Sequence, residues 1–111
     1  MMKKFLIVKS SRKYKKLFVD EILYCKAKGA YTGFCFPGEK EPVWACYLLK
    51  EVEKMLAEAP FYRVNRSCLV NLGHCYEIST DTNKIVLSNG EKLSVSRAKM
   101  KLFIKAFLAY S

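Results

Sequence analysis

Asn89-Gly90 lies between two short apolar runs, residues 84–87 and 92–95, and this arrangement dictates a hairpin. A tight antiparallel turn needs backbone in the left-handed region, which Gly and Asn enter most easily. The same punctuation recurs along the chain. Apolar stretches at residues 5–9, 17–19, 22–25, 31–36, 43–46 and 75–78 are too short for helices and rich in β-branched and aromatic side chains. Each reads as a strand. Pro37-Gly38 ends one of them, and residues 79–83 read as another turn. Residues 12–16, Arg-Lys-Tyr-Lys-Lys, read as a basic turn, and residues 26–30 as a polar loop bearing Gly29.

Two segments have helical spacing instead. Over residues 47–59, Leu48, Val52, Met55, Leu56 and Ala59 make one apolar stripe, with Lys and Glu opposite and Pro60 as the stop. Near the end, Ser96 is placed to cap a helix whose inner stripe is Met100, Phe103, Ile104 and Phe107. Leu102 falls off that stripe, either to meet a partner or as an ordinary exposed leucine. The expectation is one mainly β, antiparallel domain over residues 1–111, with one short internal helix and a C-terminal helix.

The chain carries 20 Lys and Arg against 10 Asp and Glu, a net charge of +10. Such a balance suits a polyanionic partner, nucleic acid or anionic lipid, though a basic solvated surface is the plain alternative. The five cysteines are odd in number, contain no CxxC and mostly sit in apolar runs. They read as reduced thiols of a cytoplasmic protein, with no metal. His74, the single histidine, reads as structural rather than as a ligand. The apolar run that follows Met1 breaks at Lys9, too soon for a signal peptide, and no stretch is long enough to span a membrane. No cofactor is expected, and no enzyme. The chain has no nucleophile elbow and no phosphate-cradling glycine loop, and its carboxylates are scattered.

The polar residues with binding chemistry concentrate in Phe61-Tyr-Arg-Val-Asn-Arg-Ser-Cys-Leu-Val-Asn71. Val64, Leu69 and Val70 alternate with them as inward-facing strand residues. Arg63 and Arg66 offer forked donors, and Asn65 pairs a donor with an acceptor, the groups that read base edges and grip phosphates. A second run, Leu93-Ser-Val-Ser-Arg97, follows the hairpin turn.

Together, Phe61-x-Arg63-x-x-Arg66-Ser67-x-x-Val70-Asn71, Ile78 and Leu87-x-Asn89-Gly90-x-x-Leu93-x-Val95-Ser96-Arg97 resemble the LytTR family of bacterial DNA-binding domains. Ile22-x-Tyr24-x-x-x-x-Gly29-x-Tyr31 is similar to that family's first loop region, so the resemblance covers almost the whole chain. It implies a stack of small antiparallel sheets whose loops enter successive major grooves of a bent duplex. It also implies DNA contacts by Tyr31, Arg66 and Arg97, with Lys28, Arg63, Asn65 and Ser67 as neighbours. Many members carry His where this chain has Asn65, which implies a different preferred sequence.

The residues themselves leave some roles open. Arg63 is either a DNA contact or a salt-bridging strand residue. Asn71 reads as a turn-fixing side chain and Ser96 as a cap. The Arg12–Lys16 cluster either adds phosphate contacts or is a solvated turn. The leading function is sequence-specific double-stranded DNA binding in transcription regulation. The alternatives are an RNA-binding β domain and a basic module that antagonises another regulator. The chain is either a stand-alone regulator or a piece of a longer response regulator. A stand-alone regulator would be controlled by expression level, by self-association on repeated sites or by a regulatory protein partner.

Overall fold

The computed structural model describes residues 4–110. The chain begins with an antiparallel ribbon, β1 (Phe5–Ser10) and β2 (Lys13–Phe18), and a 3-10 turn at Val19–Glu21. Strands β3 (Tyr24–Lys28), β4 (Tyr31–Cys35) and β5 (Val43–Ala45) follow, then helix α1 (Leu49–Met55). Next come β6 (Phe61–Asn65), β7 (Cys68–Asn71) and a 3-10 turn at Leu72–His74. The last elements are β8 (Cys75–Ser79), β9 (Lys84–Leu87), β10 (Lys92–Ser94) and helix α2 (Arg97–Tyr110). Beside the ribbon there are two larger sheets among the described residues, ordered β5-β4-β3-β7-β6 and β10-β9-β8. All their pairings are antiparallel.

The five-stranded sheet divides the interior into two cores. Because side chains alternate along a strand, Tyr24, Cys35, Cys68 and Val70 point one way, and Cys25, Phe34 and Leu69 the other. The first set packs against Ile85 and Leu87 of β9 and against Met100 and Phe103 of α2. The second packs against Val8 and Leu17 of the ribbon and Leu49, Val52 and Leu56 around α1. With both faces covered, β7 is buried along its whole length, so Leu69 and Val70 are both inside despite being neighbours. The expected hairpin is present, with Gly90 at φ +87° and Lys92 paired with Val86.

Several local expectations are corrected. The Arg12–Lys16 cluster is not a turn beyond Arg12, since Lys13 already begins β2 and the reversal is made at Ser11 and Arg12. Residues 17–19 are no separate strand: Leu17 and Phe18 end β2 and Val19 starts the 3-10 turn. Residues 26–30 are not a loop, because β3 runs to Lys28 and only Gly29 and Ala30 lie between the paired Lys28 and Tyr31. Helix α1 is shorter than residues 47–59. Its buried stripe is Leu49, Val52 and Leu56, while Leu48 and Met55 are exposed. The Glu51 carboxylate fixes that register by accepting the N–H of Leu48.

Candidate nucleic-acid interface

The end of the five-stranded sheet where β3 turns into β4 and β6 into β7 gathers most of the expected binding residues. Lys26 pairs with Cys68, and the N–H of Ala27 donates to the carbonyl of Ser67 at 2.9 Å. The two turns therefore lie side by side. The junction between β10 and α2 is tied to the same end. The Asn65 amide donates to the Ser94 carbonyl at 3.2 Å, and the Ser96 N–H donates to the Val64 carbonyl at 3.3 Å. Arg97 follows directly as the first residue of α2.

The β6–β7 turn is rigid for local reasons. The Asn65 Oδ1 accepts from the Ser67 N–H at 2.9 Å and from its hydroxyl at 3.2 Å, an Asx turn. Arg63 donates from Nε to the Asn65 carbonyl at 3.1 Å and from Nη2 to the Arg66 carbonyl at 2.6 Å. Its Nη1 meets Glu53 of α1 at 2.9 Å. The turn thus spends Asn65, Ser67 and Arg63 on its own geometry and leaves the Arg66 side chain exposed. Among the described residues, neither the Arg66 nor the Arg97 guanidinium has a partner, and both are exposed.

Beside this turn the sheet face is basic and aromatic. Lys26 and Lys28 project from the same side of β3 as Tyr24, and Tyr31 from the same side of β4 as Cys35. Tyr24 and Cys35 are covered by the three-stranded sheet, and the Tyr24 hydroxyl donates to the Glu91 carboxylate of its hairpin. Farther along, the strands emerge from that cover, and Tyr31 is 52% exposed. The Nζ atoms of Lys26 and Lys28 each lie 5.9 Å from the centre of the Trp44 ring. Gly33, paired with Trp44, makes this possible. A Cβ at Gly33 would stand 2.9 Å from the indole, so the ring lies across β4 only because that side chain is missing. Ser10 Oγ donates to the Trp44 carbonyl at 2.7 Å and brings the β1–β2 reversal, with exposed Arg12, to the same end.

The structure thus brings together Tyr31, Lys28, Arg66, Arg97, Ser67 and Asn65, and sets Arg63 on the α1 side of the turn. Lys26 and Trp44 were missed by sequence reasoning. Trp44 carries no periodic signal and depends on the β4–β5 register. Asn71 and His74 lie elsewhere, at the far end of β7. Asn71 is 3% exposed, donates to the Ile22 carbonyl at 2.9 Å and accepts from the Gly73 N–H at 2.9 Å. His74 bridges the Ser88 hydroxyl at 2.8 Å and the Asp20 carbonyl at 2.7 Å, so both ring nitrogens are occupied. The five cysteines are free thiols, four of them buried. Burial pushes the Cys68 thiol up to about 12 and the Cys75 thiol up to about 11. No cluster of three or more His, Cys, Asp or Glu that could hold a metal occurs among the described residues. Nor is any helix among them long and apolar enough to cross a membrane.

Comparison with known proteins bears on the family and the fold. The sequence profile of the LytTr DNA-binding domain matches residues 12–108. Among solved structures, one similar chain is the LytTr DNA-binding domain of a protein described as a methyl-accepting/DNA response regulator from Bacillus cereus. It is 27% identical, with a TM-score of 0.76 over 95% of this chain and 97% of that one. Comparison with curated proteins gives no match.

Proposed function

Since the chain belongs to the LytTR family of DNA-binding domains, we propose that it binds duplex DNA in a sequence-specific manner through the turn end of its five-stranded sheet. It acts there as a regulator of transcription and not as an enzyme. Arg66 and Arg97 read bases or grip phosphates, and Lys28, Lys26 and Tyr31 bind the backbone beside them. The observation that carries this reading is the contrast in partnering. Arg66 and Arg97, from separate chain segments, have no partner among the described residues, while the other polar groups of the motif are consumed by the fold.

The turns enter successive major grooves and the duplex bends over them. The described chain is 44 Å along its longest axis, against about 34 Å for one turn of B-DNA, so its size permits two groove entries from one side. Residues 1–111 act as one unit, and Trp44 keeps the two lysines extended toward the phosphates.

Fluorescence anisotropy tests this reading against salt. Neutralising about five phosphates gives a slope of log affinity on log salt of roughly −4 to −5. A slope near zero would sink DNA binding, and a duplex RNA of equal length that competes equally would move the site to RNA. Gel shifts with a circularly permuted fragment test the bend, and equal mobility for every permutation would remove it.

A further inference from the structure

Arg63 has the residue type of a DNA contact but the surroundings of a brace. It projects from the face of β6 that meets α1, since its cross-strand partner Leu69 belongs to the core on that side. Lys26 and Lys28 project from the opposite face of the same sheet. Three of its donors are already directed at protein oxygens: the Asn65 carbonyl, the Arg66 carbonyl and the Glu53 carboxylate. The two carbonyls are consecutive and belong to the turn that displays Arg66. A guanidinium is a rigid planar fork, so two of its donors set where those carbonyls point, and the third is held by a helix outside the turn.

We propose that Arg63 and Glu53 form a latch that presets the β6–β7 turn for DNA, with Arg63 a positioning residue and Glu53 its anchor on α1. This rests on the proposed DNA-binding role of the turn and deepens it. The latch orders the backbone of Asn65 and Arg66 before the duplex arrives, so less freedom is lost on binding. It also makes α1, which carries none of the DNA-reading residues, a determinant of affinity.

The sign of one substitution separates the latch from simpler electrostatics. Glu53→Gln removes a negative charge from a DNA-binding protein, which on charge alone strengthens binding. The latch predicts the reverse, affinity about two- to fivefold weaker, because a half-exposed ion pair holds the fork. Arg63→Lys keeps the charge and loses the fork. It should weaken specific binding on the order of tenfold while the salt slope stays that of the parent. Amide exchange in the free protein gives the independent readout. In both variants the Ser67 N–H, bonded to Asn65 Oδ1, should exchange faster while the amides of β9 do not change.

Tighter binding by Glu53→Gln with a salt slope steeper by about one would make Arg63 a DNA contact held back by Glu53, and would overturn the latch. Parent-like affinity for Arg63→Lys would overturn it too, as would unchanged exchange at Ser67. If the parent protein binds no duplex at any salt, the proposed function fails, and the exchange data still decide whether the turn is latched.

Discussion

Two asparagines flank β7, and they make the same local turn in opposite surroundings. Asn65 and Asn71 each accept the N–H of the residue two places on, from Ser67 and Gly73, and each donates to a carbonyl distant in sequence. Asn71 is buried and joins the end of β7 to the segment that leads into β3. Asn65 is half-buried and flanked by exposed Arg66 and Ser67. An Asx turn by itself therefore carries no function. It fixes a backbone path, and what stands on that path decides whether the result is a seam or a contact surface.

That contrast is open to attack, beginning with the interior. The Cys68 and Cys75 thiols ionise near 9 when unfolded, but only near 12 and 11 in the fold. Below pH 9 both states hold the protons and stability is unaffected. As pH rises from 9 toward 11 and 12, the unfolded state alone loses them and stability falls. For each of these buried thiols the limit is about 1.4 kcal/mol per pH unit, and Cys75 reaches the end of its window sooner because its thiol is raised less. Alkaline denaturation followed by urea titration should show that decline. A flat profile would mean that the thiols open to solvent.

Asn71→Ala should cost about 2–3 kcal/mol of stability, because it orphans the buried Ile22 carbonyl and also frees the part-buried Gly73 N–H. Any loss of DNA binding should then follow the unfolded fraction alone. A folded variant with selectively weakened binding would erase the distinction between the two ends.

Arg66→Ala and Arg97→Ala should behave in the opposite way. Each should lower specific affinity by about 1–3 kcal/mol and leave the melting temperature unchanged, since neither guanidinium holds anything in the fold. A base-reading arginine costs specificity at one operator position, whereas a phosphate-gripping one weakens all sequences and lowers the salt slope by about one. Parent-like binding by both variants would displace the contact surface from this end.

The smallest effect belongs to Asn65→Ala. Its carbonyl and amide partners are near solvent, so stability should fall by only about 0.5–1 kcal/mol. Binding should fall by more than stability does. A loss as large as that of Asn71→Ala would show that the exposed turn also holds the fold together.

Much of this was legible in residue order. The Asn89-Gly90 hairpin, the alternation in β6 and the turn-fixing role of Asn71 follow from local chemistry, and local chemistry survives folding. What the sequence misplaced has a common cause in long-range packing. Lys26 and Lys28 look like loop residues because β3 slides out from under the three-stranded sheet, so one half of its face is polar. The tandem Leu48-Leu49 offers two stripes, and only the docking of α1 on the second core selects Leu49. Arg63 and Glu53 meet across a helix and a strand, a pairing that no short spacing announces.

Gly33 has a consequence for retargeting the protein. The Trp44 ring rests across β4 only where a side chain is missing, so that contact admits little variation. The Arg66 turn is held the other way, through main-chain carbonyls that any residue possesses. If Arg66 reads the operator as proposed, position 66 is a socket for an engineer, where the letter is free and the frame stays. The place to leave alone is the silent glycine two strands away.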